Sequence, residues 1–212
     1  MSTVAIAGGH GKIALILGRL LAERGDTVRG LIRNPDQEDD LRAVGIEPVI
    51  ADLESESDIA SAIRGADAVV FAAGAGPGSG DARKKTVDLG GAVKLVEAAK
   101  AEGVSRYLIV SSMGAEKAPA DGAEGFGAYL QAKFEADEAV RASGLDYTVV
   151  RPGGLTDDPG TGLVTIAEDT GRGKVPRADV AAVFVACLDT PSTIGQSFDL
   201  ISGTTPIPDA LP

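Results

Sequence analysis

A short apolar run ends in glycines, and a helix-patterned stretch starts almost at once. The run is Thr-Val-Ala-Ile-Ala at 3–7, and the junction is Gly8-Gly9-His10-Gly11-Lys12-Ile13-Ala14. Residues 11–24 then carry Ile13, Leu15, Ile16, Leu17, Leu20 and Leu21 on one broad helical face, and Gly25 is a natural stop. A strand passing into a helix through so tight a turn predicts a parallel strand buried on both faces. The rest of the chain repeats the alternation. Strands are expected at 27–32, 46–51, 67–73, 106–112, 146–150, 163–166 and 196–201. Helices are expected from Pro35 to about Val44, and over about 56–64, 82–102, 127–142 and 178–189. The segment 74–81, with four glycines and a proline, reads as a loop and a candidate lid.

Strand–helix alternation of this kind implies a parallel sheet with right-handed crossovers and helices on both faces. The expected fold is therefore α/β: a single-domain, doubly wound parallel sheet of Rossmann type spanning 1–212. Segments 151–177 and 190–212 are too short for a second core. They are expected to form a small C-terminal cap over the carboxyl ends of the strands, where open α/β sheets bind ligands.

The 212 residues carry a formal net charge of −11, which argues against nucleic acid or an anionic membrane as partner. No apolar run is long enough to span a bilayer, and Met-Ser-Thr-Val-Ala lacks the basic stretch of a signal peptide. A reducing cytoplasm is the expected compartment. The single cysteine, Cys187, excludes an internal disulfide and reads as a buried thiol within an apolar run. A lone histidine, His10, makes neither a metal site nor a hydrolytic triad, and the acidic run Asp36, Glu38, Asp39 and Asp40 reads as a solvated helix face. No metal is expected.

The glycine junction fits G-x-G-x-x-A from Gly9 or G-x-x-G-x-x-A from Gly8. In either reading, glycine lets the backbone approach a pyrophosphate that the helix N-terminus then faces with free N–H groups. Gly8, Gly9, His10, Gly11, Lys12 and Ile13 are the candidate phosphate turn. NAD-selective sites place an acid at the end of the second strand, whereas this chain has Arg33-Asn34-Pro35. A guanidinium at Arg33 suits a 2′-phosphate, Lys12 could add charge there, and NADP(H) is favoured with NAD(H) as the alternative. Asp52-Leu53 could receive the adenine or cap the next helix, two compatible roles. Ala72, Ala73 and Gly74 end the fourth strand with small residues on which a cofactor could lie. Tyr129 and Lys133, four apart, share a helical face, and a lysine beside a tyrosine lowers the cost of its phenolate.

Together the glycine turn, Arg33, Asp52-Leu53, Ser111-Ser112, Tyr129-Leu-Gln-Ala-Lys133 and Leu145-Asp-Tyr-Thr-Val-Val-Arg-Pro-Gly-Gly-Leu155 resemble the atypical short-chain dehydrogenase/reductase superfamily. The branch resembled is the small NAD(P)-binding, NAD-dependent epimerase/dehydratase-like one, over nearly the whole chain. The resemblance implies Tyr129 and Lys133 as the catalytic pair and Ser112 as the donor that polarises a substrate carbonyl. It further implies Ser111 beside the cofactor and Pro152-Gly153 lining the nicotinamide end. The functional expectation is an NADPH-dependent oxidoreductase acting on a small carbonyl, quinone or flavin-like acceptor. Two alternatives stand: a non-catalytic NADP(H)-sensing regulator or assembly factor, and a sugar-type epimerase or dehydratase. The partner expected is a small-molecule substrate, and the assembly a monomer or homodimer.

Overall fold

A computed structural model of the chain describes residues 1–54, 59–74, 76, 80–118 and 124–212. Its strands are β1 (Thr3–Ala7), β2 (Thr27–Ile32), β3 (Glu47–Ile50), β4 (Ala68–Phe71), β5 (Arg106–Val110), β6 (Asp146–Pro152), β7 (Gly154–Thr156), β8 (Leu163–Ala167), β9 (Lys174–Pro176), β10 (Gln196–Ser202) and β11 (Thr205–Pro206). Among the described residues nine of these form one sheet in the order β11-β8-β10-β6-β5-β4-β1-β2-β3. From β10 to β3 every pairing is parallel. The strand order reverses between β1 and β4, which opens a crevice at the carboxyl ends of the strands.

The sheet is buried on both faces because its strands are apolar on both. In β1, Val4 and Ile6 enter one core while Ala5 and Ala7 enter the other. The first core is covered by α1 (Lys12–Glu23) and α7 (Arg177–Asp189), which pack along each other. Leu17 and Leu21, one turn apart on α1, are wholly buried, each contributing about 2 kcal/mol. The second core is covered by α3 (Ile59–Ile63), α5 (Gly91–Glu102) and α6 (Phe126–Arg141). Gly103, in the left-handed region at φ 71°, ends α5. The second strand leads to α2 (Glu38–Ala43) through a 3₁₀ turn, Pro35–Gln37.

Three sequence expectations change in detail. The helix expected at 82–102 is α4 (Asp81–Lys84), a π-helical turn at Lys85–Gly90, and α5. The wider turn brings the adjacent residues Val87 and Asp88 both inside. The strand near 163–166, expected in the cap, is β8 of the main sheet, antiparallel to β10. It covers what would otherwise be an open edge, and β11 extends it. The cap proper contains a small parallel pair, β7 with β9. It is tied down by Asp179, which accepts from the Thr161 amide at 2.9 Å and the Gly162 amide at 2.8 Å. Asp157 adds ion pairs to Lys12 (2.5 Å) and Arg177 (2.7 Å). The expected loop at 74–81 and helix at 56–64 fall partly outside the described residues. No helix among those described is long and apolar enough to cross a membrane.

Two backbone approaches set the geometry of the first turn. A Cβ on Gly9 would lie 2.7 Å from the Cα of Gly30 in β2, and a Cβ on Gly8 would lie 2.6 Å from the Cα of Ala73. Gly9→Ala is therefore expected to destabilise the fold by about 1–3 kcal/mol. Gly80→Ala, with nothing among the described residues within 4 Å of the new methyl, should stay within about 0.5 kcal/mol; denaturant midpoints compare them. Burial pushes the Cys187 thiol up to about 12. It should resist thiol reagents in the native protein at mildly alkaline pH and react only on unfolding.

Candidate functional site

The crevice is walled by Gly8, His10 and Gly11 from the first turn, Arg33 after β2, Asp52 and Leu53 after β3, and Ala72, Ala73 and Gly74 after β4. Each was expected there from the sequence. Gly8 takes φ 79°, and the Gly11 amide closes the turn on the Gly8 carbonyl at 2.9 Å. Gly11 in extended backbone then caps α1, so the first-turn N–H groups face the crevice. A side chain on Gly8 would run into Ala73, so the cradle is shaped for a ligand's atoms lying on bare backbone.

Other expected residues do not line the crevice. Gly9 packs on β2, its amide donating to the Leu31 carbonyl at 2.9 Å. Ile13 belongs to the core. Lys12 is exposed and bound to Asp157 of the cap, so it does not join Arg33. Asn34 caps the 3₁₀ turn, accepting from the Asp36 amide at 3.1 Å. His10, though it lines the crevice, places Nε2 2.8 Å from the carboxylate of Asp40, which stays exposed on the acidic helix face. Asp52 accepts from the Glu54 amide at 2.9 Å. The start of the next helix, which Asp52 was expected to cap, lies outside the described residues.

At the far end of the crevice Arg33 meets two residues that sequence reasoning passed over. Glu54 Oε2 lies 2.8 Å from Arg33 Nη1 and 3.2 Å from Arg83 Nη2. The signal for Arg83 was available, since Arg83-Lys84-Lys85 is a basic triplet directly after the glycine-rich loop.

Tyr129 and Lys133 sit on α6, behind β5. Lys133 is buried, with Nζ 3.0 Å from Asp88 Oδ1 in the π turn and 3.1 Å from the Val110 carbonyl. The same nitrogen lies 5.8 Å from the centre of the Tyr129 ring and 5.9 Å from that of Phe71. Burial alone would push the ammonium down, but the charges of Tyr129, Asp88 and Asp137 outweigh it and hold it above its ordinary value. Lys133 is thus held in its charged form by the acids around it. Asp88 also approaches Gly74, where a Cβ would lie 3.2 Å from its carboxylate oxygen. The acid that pairs with the lysine therefore stands close to the segment that follows β4.

The two serines diverge. Ser111 shares a face with Tyr107 and Ile109 and is buried against Asp137 of α6. It belongs to a row behind the site: Ser111, Arg151 of β6 and Asp199 of β10 on adjacent strands. Arg151 Nε donates to Asp137 at 3.1 Å and Nη1 lies 3.5 Å from Glu116. Burial pushes the Asp137 carboxyl up against the opposing pull of Ser111 and Arg151. Ser112 is partly buried, its hydroxyl 3.4 Å from the Met113 carbonyl. Pro152 ends β6, and Gly153 lies against the cap, where a Cβ would meet the Gly173 carbonyl at 2.4 Å. Among the described residues no group of three His, Cys, Asp or Glu is placed to hold a metal.

Lys133→Met is expected to cost about 3–5 kcal/mol, because it strands the buried Asp88 carboxylate. Adding Asp88→Asn should recover part of that loss, since the second change removes the stranded charge. Equal, additive losses in chemical denaturation would show that the two side chains are not coupled.

Residues 8–191 match the family model described as NAD(P)H-binding. A Bacillus subtilis protein described as an uncharacterized sugar epimerase, YhfK, is 41% identical over 98% of both chains. A solved structure from Bacillus halodurans, described as an NAD-dependent epimerase/dehydratase, superposes with a TM-score of 0.90 at 36% identity, covering 98% of this chain and 97% of that one. The anaerobillin reductase ChuY from Escherichia coli gives a TM-score of 0.80 at 25% identity, covering 95% and 97%. With this match, the glycine cradle, and the crevice at the strand-order reversal, the chain belongs to the NAD(P)H-binding family.

Proposed function

We propose that this chain is an NADPH-dependent oxidoreductase that reduces a small carbonyl, quinone or flavin-like acceptor. The observation that carries the reading is Lys133, a buried cation between Asp88 and the Val110 carbonyl with its charge under the Tyr129 ring. A tyrosine beside a cation so held is placed to hand its proton to the oxygen when hydride arrives on a carbonyl carbon. When bound, NADPH supplies that hydride.

The chain's own residues have these roles in the reading. The Gly8–Gly11 turn and the start of α1 hold the pyrophosphate. Arg33 takes the 2′-phosphate with charge-assisted bonds. Asp52 and Leu53 receive the adenine, and Ala72, Ala73 and Gly74 give it a flat floor. Pro152 and Gly153 border the nicotinamide end. Tyr129 gives its proton to the acceptor oxygen, Lys133 stabilises the phenolate left behind, and Ser112 donates to the same acceptor oxygen. Phe126, 69% exposed with its ring 5.7 Å from that of Tyr129, offers apolar surface to a planar acceptor. The reductase name of the similar Escherichia coli protein supports the reading.

A second reading, sugar-type epimerisation, draws on the description of the Bacillus subtilis relative. The two differ in cofactor balance: reduction consumes NADPH, and epimerisation returns hydride to the same substrate.

Against a panel of quinones, flavins and small carbonyls, steady consumption of NADPH is expected. Tyr129→Phe should slow turnover about 10²- to 10⁴-fold with NADPH affinity unchanged. Arg33→Ala should weaken NADPH about tenfold or more and leave NADH unaffected. Unchanged turnover in Tyr129→Phe would remove the catalytic assignment, and equal NADPH and NADH affinities in the parent protein would remove the NADP preference.

A further inference from the structure

We propose that Glu54 is a built-in counter-anion that holds the 2′-phosphate position between Arg33 and Arg83, and that NADP(H) binds there by displacing it. The proposal rests on the NADPH reading and deepens it, assigning Arg83 as a second phosphate-binding arm and Glu54 as the residue that sets the strength of phosphate selection.

The geometry is that of an anion site with its anion supplied by the protein. Arg33 follows β2 and Arg83 lies on α4, so the two guanidiniums reach the crevice from different walls. Both converge on one oxygen: Glu54 Oε2 is 2.8 Å from Arg33 Nη1, 3.3 Å from Arg83 Nε and 3.2 Å from Arg83 Nη2. The other oxygen, Oε1, accepts from Thr86 Oγ1 at 2.9 Å. The Asp52 carboxylate holds the Glu54 amide at 2.9 Å and so aims the side chain. Four donor contacts from three residues are thus collected around one carboxylate.

A carboxylate is a modest occupant for this set. Three guanidinium N–H contacts crowd onto a single oxygen, and two of them are longer than 3 Å. A phosphate monoester carries three acceptor oxygens and nearly twice the charge, so it can give each guanidinium its own paired bonds. Without an anion, the two arginines would face each other uncompensated. Glu54 removes that repulsion while its side chain keeps 27% exposure, enough to swing toward water when displaced. Phosphate binding then exchanges one anion for a stronger one, and a dinucleotide lacking the phosphate leaves Glu54 where it is.

The test is calorimetric titration with adenosine 2′,5′-bisphosphate and with AMP, probes that differ only in the phosphate in question. Glu54→Gln keeps the shape and removes the charge. It is expected to bind the bisphosphate about three- to tenfold tighter, with AMP affinity within about twofold of the parent. Arg83→Ala is expected to weaken the bisphosphate about threefold or more and leave AMP alone. Unchanged or weaker bisphosphate binding in Glu54→Gln overturns the proposal. So does a loss of AMP affinity in that variant, which would assign the carboxylate to the ribose hydroxyls. A parent protein that binds neither probe takes down the cofactor reading and this proposal together. Normal turnover in Tyr129→Phe, by contrast, sinks only the catalytic roles and leaves Glu54 and Arg83 standing.

Discussion

The fold turns on two places where backbone meets backbone without an intervening side chain. Gly9 lies against Gly30, and Gly8 lies against Ala73. The first contact brings the turn down onto β2, and the second brings it against the end of β4. Together they seat the N-terminus of α1 over the reversal in strand order. A methyl group at either position would lift the turn and pull the helix N–H groups away from the crevice. Deeper in the layer a Cβ on Gly18 of α1 would meet the Ile46 side chain at 2.3 Å, a contact with a side chain and not with backbone. The turn is thus seated by glycine at two points, and the bare-backbone cradle of the crevice is a by-product of that seating.

Electrostatics in the crevice follow a second constraint. The chain is strongly acidic, and acids accompany the cations near its ligand site. Arg33 and Arg83 share Glu54, Lys12 and Arg177 share Asp157, and His10 meets Asp40. Exposed pairs of this kind contribute little to stability. In the proposed reading the pair that matters to the ligand is Glu54 with its two arginines, where a phosphate would compete with the carboxylate. Lys133 is a different case, because its partner is buried with it and neither can be solvated if the other is lost. That pair ties the π turn to α6 and holds a positive charge beside Tyr129 at neutral pH.

Much of the fold was legible because its signals are local and repeated. Parallel strands buried on both faces read as short apolar runs, and glycines after helices read as stops. The glycine turn, Arg33, Asp52-Leu53 and the small residues ending β4 could be assigned to one crevice because strand–helix alternation places successive strand ends side by side. Less legible was the π turn, since one extra residue in a helical turn leaves no mark on an apolar pattern, and with it went Asp88. The strand β8 looked like part of a cap because nothing in Leu163–Ala167 says which edge it will cover.

What the sequence determined by itself is the layered architecture and the character of its ligand end. Periodicity and punctuation are properties of neighbouring residues, and the strand-turn-helix junction at Gly8–Ala14 carries its chemistry within seven of them. Only the tertiary structure decided which charges meet. Glu54, Arg33 and Arg83 stand on three different connections, Lys12 finds its partner 145 residues away, and Lys133 is committed to an acid on a different helical segment. Those pairings depend on how the elements pack, and sequence spacing has no access to distances that the sheet alone creates.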